Sequence, residues 1–355
     1  MRIRWRAAAT ATVAIVASTA AMFAPADGLA GAGQFELVGT HPQASQQPTV
    51  RGRTLSFLKH WNGAIYAGYG DGTANTGPIA ITPFALSTNR FAAQPALVAN
   101  SEALEVFRVL NGNLYAPAID PVDRIRPDDY FQTPLGGPWT ARDVVGSFHV
   151  WDMAARTGGE LWMVGSAPPD NAVAWRSLDG GATWSTALTV PPRQSGVDDV
   201  ARFYFAGVYH NALYVQAADF FGGKHPSSKV FNGTVWSDGP DLLPQGGYGY
   251  DTELFAGRLV YLSLGVSSQS SPGSLLSFDG TKVTSTGRAF YNYSVDGGKL
   301  YGLGANGQIS RTGNLRTWTD IKTLAPQSAR SIVVIDGVIY VGTTDARIYR
   351  LGSPR

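Results

Sequence analysis

Trp61-Asn62-Gly63-Ala64-Ile65-Tyr66 is a tight-turn pair, Asn62-Gly63, that runs straight into a short apolar strand. The same arrangement returns at Asn111-Gly112, Gly158-Gly159, His210-Asn211, Ala256-Gly257, Gly297-Gly298 and Asp336-Gly337. The anchors that follow the seven pairs are Ile65-Tyr66, Leu114-Tyr115, Leu161-Trp162, Leu213-Tyr214, Leu259-Val260, Leu300-Tyr301 and Ile339-Tyr340, spaced 49, 47, 52, 46, 41 and 39 residues apart. A two-residue hairpin of type I′ needs positive φ at both central residues, which Gly adopts freely and Asn or Asp at little cost. Turn pairs flanked by apolar alternation therefore signal hairpins. Strands and turns repeating at about 40–50 residues imply an all-β chain in which each repeat is one blade of a β-propeller. Seven four-stranded blades are expected. Six or eight would follow if blade 5, whose aromatic Tyr261 comes one residue late, is misread.

The remaining composition fits one closed domain. The 355 residues include 42 Gly, 9 Trp and no Cys, so neither disulfides nor cysteine metal sites are available. Arg2, Arg4 and Arg6 precede an apolar run from Ala7 to Phe23 and then Ala24-Pro25-Ala26. A basic start, an apolar middle and a small-x-small end describe a secretory signal peptide. The run is short for a membrane span. Cleavage is expected after Ala26, with Ala30 as the alternative. The expected organisation is a signal over 1–26, an N-terminal segment with a ring-closing strand over 27–52, and the propeller over 53–355. Without the signal, 25 basic residues face 26 acidic ones, a formal charge of −1. That balance argues against a nucleic-acid partner. The Arg-over-Lys bias and high Ala content point to a high-GC bacterial source. The signal makes a secreted protein the expectation, monomeric and with no membrane span once the signal is removed.

Labelling the strands of a blade A to D from the axis outward, the A–B hairpins share one face of the ring. The B–C and D–A loops share the other. Blade 3 is expected as Phe148–Ala155, Glu160–Gly165, Ala172–Ser177 and Thr183–Thr189. Long B–C loops are expected in blades 1 to 5, at 68–77, 116–138, 166–171, 217–228 and 265–273, with short ones in blades 6 and 7. Long loops on a rigid scaffold carry binding or chemistry, so the functional surface is expected on that face, with 120–130 as a lid. The segments 35–39 and 347–351 are expected to pair and close the ring, which removes open edges.

Residues 177–184, Ser-Leu-Asp-Gly-Gly-Ala-Thr-Trp, match S-x-D-x-G-x-T-W at Ser177, Asp179, Gly181, Thr183 and Trp184. This resembles the Asp-box, or bacterial neuraminidase repeat, of sialidase-like β-propellers. Degenerate copies are read at Ser310, Gly313, Thr317 and Trp318, at Phe231–Trp236 and at Phe278–Thr281. The resemblance implies a structural C–D turn: the Asp and Ser side chains hold backbone groups and the Trp packs between sheets. It supports fold rather than activity. The aromatic-Arg-Ile-Pro motif of sialidases is absent. Arg124-Ile125-Arg126-Pro127 lacks the aromatic residue and lies in a blade 2 loop.

Residues opening the A strands are expected around the channel mouth. Arg53, Arg202 and Arg330 would clamp an anionic group, since guanidinium forks fit carboxylates. Glu105, Asp251 and His149 are the candidate proton-transfer residues. Asp71 and Asn75, in a loop dense in turn residues, would bind sugar hydroxyls. Phe221 and Tyr250, with Tyr130-Phe131 and Tyr248, would offer aromatic faces. No cofactor or metal is expected. Calcium is the one ion that the oxygen-rich positions Asp71, Asp128-Asp129 and Asp198-Asp199 would suit. The expected function is binding of an extracellular glycan, envelope polymer or protein through the B–C/D–A face. The alternative is a carbohydrate-active enzyme, a sialidase-like glycoside hydrolase or a lyase, acting on an acidic sugar.

Overall fold

A computed structural model describes residues 33–122, 128–193, 200–219, 223–264 and 271–351. Seven antiparallel blades form the ring. Helix among the described residues amounts to Val50–Arg53 and three short 3₁₀ turns. Blade 3 is the most regular: His149–Ala155, Leu161–Ala167, Asn171–Ser177 and Ser185–Val190 pair in sequence order. In blade 7, Ala329–Ile335, Val338–Thr343 and Arg347–Leu351 are completed by the chain's first described strand, Phe35–Thr40. Phe35 pairs with Leu351 and Thr40 with Arg347, and a Glu36–Arg350 ion pair spans the seam. The two terminal segments thus make the C and D strands of a full blade.

All seven A–B turn pairs adopt the expected backbone. Both residues of every pair have positive φ, from 46° at His210 to 86° at Gly158. His210, Asn211 and Ala256 hold this conformation without glycine's freedom because the strands on either side fix the register.

Two loops are shorter than the turn residues suggest. In blade 2 the C strand is Tyr130–Pro134, so Tyr130 and Phe131 are core residues, 0% exposed, and not loop aromatics. In blade 4 the B and C strands run through Ala212–Asp219 and Gly223–Phe231, taking in most of the expected loop.

The core lies between neighbouring blades. Trp162, fully buried, meets Phe231 at 5.1 Å and Trp236 at 5.6 Å across the blade 3–4 interface. Truncating such a residue costs roughly 3–5 kcal/mol.

The C–D hairpins of blades 3 to 6 are all built around a side chain that caps its own turn. In blade 3, Asp179 accepts from the Thr183 N–H (2.9 Å), the Thr183 hydroxyl (2.5 Å) and the Ser177 hydroxyl (2.8 Å). The Gly181 N–H donates to Ser177 Oγ at 2.8 Å. These bonds hold the Asp179 carboxyl down at about 2. Trp184 lies on Tyr130 of blade 2, ring centroids 5.8 Å apart. Asn232 and Asp279 cap the corresponding turns of blades 4 and 5. In blade 6 the capping pair is Thr312 and Asn314: the Leu315 N–H donates to Thr312 Oγ1, and the Arg316 and Thr317 N–H groups donate to Asn314 Oδ1. Ser310 and Gly313 do not fill these roles. The turn is one residue shorter than its blade 3 counterpart, and an amide oxygen accepts where a carboxylate does in blade 3.

Candidate functional site

Four A strands carry one extra residue relative to their B partners. Val150 and Asp152 pair with the adjacent Gly165 and Val164, leaving Trp151 between them. The same one-residue excess falls at 204–206 in blade 4, Asp251-Thr252 in blade 5 and Arg330 in blade 7. Such bulges unpair a residue and re-aim its side chain, and they concentrate beside functional sites. Here they lie along the channel. Asp251 takes φ +53° to do so.

At mid-height a polar belt joins the blades. Arg108 of blade 2 forms a two-pronged pair with Asp152 of blade 3, Nε to Oδ1 at 2.7 Å and Nη2 to Oδ2 at 2.9 Å. Its Nη1 reaches Asp251 Oδ1 at 3.1 Å and the Thr252 carbonyl at 3.0 Å in blade 5. Asp152 also accepts from the Ala206 N–H of blade 4. Asn292 of blade 6 donates to Asp251 at 3.5 Å and accepts from the Ile332 N–H of blade 7 at 3.2 Å. Ser331 donates to the Leu55 carbonyl at the entry to blade 1.

Arg108, Asp152 and Asp251 are all at most 5% exposed. A buried charge is tolerated only when paired and hydrogen-bonded, and Arg108 meets that condition with every nitrogen. Burial pushes the Asp251 carboxyl up to about 6, against the pull of Arg108. Tyr293 donates to the Asp251 carbonyl, and its enclosure holds the phenol well above its ordinary range.

Above the belt, on the B–C/D–A face, a run of rings crosses blades 3 to 5. His149 lies 5.9 Å from Trp151, Trp151 4.7 Å from Tyr204, and Tyr204 4.7 Å from Tyr248. The Arg202 guanidinium sits 5.6 Å above the Trp151 ring, and its Nη2 is 3.3 Å from His149 Nε2. His149 Nδ1 is 2.6 Å from the Ile119 carbonyl. An Nδ1–H donating there leaves Nε2 to accept from Arg202. The Trp151 Nε1–H is buried without a hydrogen-bond partner among the described residues. Across the mouth, Arg51 reaches Glu105 at 3.4 Å and Asp71 at 3.8 Å. Burial and Glu105 together raise the Tyr248 phenol.

The expected residues divide accordingly. His149 and Arg202 meet over Trp151. Glu105 is buried beside Arg51, and its carbonyl accepts from Tyr250 at 2.6 Å. Tyr250 is itself a core residue, 5% exposed, set edge-on to Phe57. Asp251 belongs to the belt.

The arginine clamp does not form as expected. Arg53 donates to the Gln47 and Pro48 carbonyls. Arg330 donates to the Gln327 and Ala329 carbonyls and covers Tyr291. Each is held by carbonyls of its own segment. The short helix Val50–Arg53 is the reason: two residues along a helix turn the side chain to the other side, so Arg51 faces the mouth.

Asp71 caps its own loop, accepting from Thr49 and Thr73, and Asn75 at φ +50° meets the Glu102 carboxylate. Asp129 is filled by three backbone N–H groups and the Ser147 hydroxyl. Among the described residues no three His, Asp or Glu side chains gather to hold a metal ion, and no helix is long and apolar enough to cross a membrane. Phe221, Asp198-Asp199, Arg124–Pro127 and the segment 1–26 lie outside the described residues. Arg108, Asp152, Trp151, Tyr204 and Arg51 carry the site without having been singled out from the sequence.

No protein-family model matches the chain, and no curated protein does. Among solved structures, YCF48 from Cyanidioschyzon merolae is similar with a TM-score of 0.52 at 9% identity, over 90% of this chain and 98% of that one. That likeness shows the propeller fold. The computationally designed Ika8 protein gives 0.45 at 11% identity over 89% and 99% of the two chains. YCF48 bound to D1 peptide gives 0.38 at 16% identity, over 54% of this chain and 59% of that one. The chain thus spans little more than half the length of the peptide-bound structure.

Proposed function

We propose that this protein is an exported bacterial β-propeller that binds an extracellular glycan, envelope polymer or protein at the B–C/D–A mouth of its channel. The observation that carries the reading is the run His149–Trp151–Tyr204–Tyr248 with Arg202 over it. Aromatic bodies with polar edges offer apolar contact and hydrogen bonds to one ligand. The unpartnered Trp151 Nε1–H is a donor that a ligand oxygen would satisfy, and a buried orphan donor costs free energy until it is met. Arg2, Arg4 and Arg6 ahead of an apolar run support the export part of the reading.

Glycan and peptide arrays probed with residues 27–355, paired with a reducing-sugar assay on the hits, test the proposal. The expected result is binding without turnover, weakened about tenfold or more by Trp151→Ala or Arg202→Ala. Hits indifferent to both substitutions would place the ligand elsewhere. Sugar release that disappears in Glu105→Gln would make the protein a carbohydrate-active enzyme instead.

A further inference from the structure

Below the belt, at the A–B mouth, two cavities of about 370 and 350 Å³ adjoin. Both are lined by Lys59 of blade 1 and Glu253 of blade 5, whose Nζ and Oε1 are 2.9 Å apart. Volumes of this size fall in the range of small-molecule sites. The first cavity is walled by aliphatic groups, with Val109 and Leu254 exposed at 42% and 61% on its rim. The second adds the carboxylates Asp296 and Asp336.

The ion pair between the cavities is partly exposed, its side chains 23% and 36% accessible, and the protein uses only part of its hydrogen-bonding capacity, leaving the rest to water or a ligand. An ammonium offers three donors and a carboxylate two acceptor oxygens. Among the described residues Lys59 donates only to Glu253 Oε1, and Glu253 accepts only from Lys59. The Glu253 carboxyl, although burial opposes it, is held below its ordinary value by Lys59 and Arg108, so it is present as the anion. Arg108 also lines the first cavity, but its nitrogens are all engaged in the belt.

We propose that the A–B mouth is a second binding site, on the face opposite the aromatic run, for a small zwitterion of the α-amino-acid type with an aliphatic side chain. The ligand carboxylate would take the remaining Lys59 donors. Its ammonium would take Glu253 from the side of Asp296 and Asp336, and its side chain would enter the cavity bounded by Val109 and Leu254. A simple cation would leave the remaining Lys59 donors to water, and a simple fatty anion would gain nothing from Glu253. A ligand carrying both charges answers both groups.

Isothermal titration of residues 27–355 with L-leucine, L-leucinamide and N-acetyl-L-leucine tests this. L-leucine should bind, and each derivative should be at least about tenfold weaker, having lost one charge-assisted hydrogen-bonding group. Lys59→Met and Glu253→Gln should each abolish leucine binding. Ala155→Trp, which fills the first cavity from the blade 3 wall, should do the same in a protein whose circular dichroism is unchanged. No heat from any of the three compounds, equal affinity for all three, or leucine binding retained in folded Ala155→Trp would each overturn the proposal. Ligands of the opposite face are absent from this experiment, so its outcome is separate from that of the array.

Discussion

Asp179 and Asp251 are the same residue type under opposite physics. Asp179 sits at the rim of blade 3, fully exposed, and short local bonds to Ser177 and Thr183 hold its carboxyl at about 2. Asp251 sits at the axis, and burial lifts its carboxyl to about 6 although Arg108 touches it. All partners of the first lie within eight consecutive residues. The partners of the second come from other blades, Arg108 being 143 residues away. The rim turns therefore stabilise blades one at a time. The belt exists only when the ring is closed, and it joins blade to blade where the two mouths meet.

Removing the belt's cation should have the largest effect. Arg108→Met leaves Asp152 and Asp251 buried without their partner, and breaking a buried pair in this way costs about 3–5 kcal/mol. Urea unfolding at pH 7 measures it. A loss no greater than that of a surface substitution would show that the belt is dispensable.

The next effect is a pH dependence of the less common sign. The folded-state value of Asp251 lies above its unfolded one of 3.8. Its contribution to stability is therefore complete below about pH 4 and lost as pH rises through about 6, a fall on the order of 3 kcal/mol. Unfolding curves of the wild type and Asp251→Asn between pH 4 and 7 should diverge by that amount, the wild type losing ground with rising pH. Parallel curves would break the contrast with Asp179.

The smallest effect belongs to Asp179→Ala. Its lowered carboxyl stabilises above the unfolded value of 3.8, and that stability disappears as pH falls through about 2. The variant should unfold at slightly lower temperature than the wild type at pH 7 and at the same temperature near pH 2. A larger drop than that of Arg108→Met would invert the account.

What was legible in the sequence follows the same division. The seven A–B turns could be read because a positive-φ pair announces itself in two residues. The Ser177–Trp184 turn could be read because its bonding is complete within one hairpin. A Ser at the head of the blade 6 copy is found only at Ser310, one residue too far from Trp318, whereas Thr312 and Asn314 make the same bonds in one residue fewer than the motif. An extended start to blade 1 would present Arg53 at the mouth, whereas the chain makes a helical turn there and presents Arg51. Trp151 and Tyr204 reach the channel through bulges, and an extra residue in one strand is visible only against its partner's register. Arg108 and Asp152 look like unremarkable strand residues until the ring brings them together across 44 residues.

Whether paired charges at the axis tie the blades into a ring is decided by a double-mutant cycle of Arg108→Met and Asp152→Asn in urea unfolding at pH 7. Strong coupling is expected: the double variant should be less destabilised than the sum of the single ones by about 1–3 kcal/mol. Additivity within about 0.5 kcal/mol would contradict it, leaving the blades held by their apolar interfaces alone.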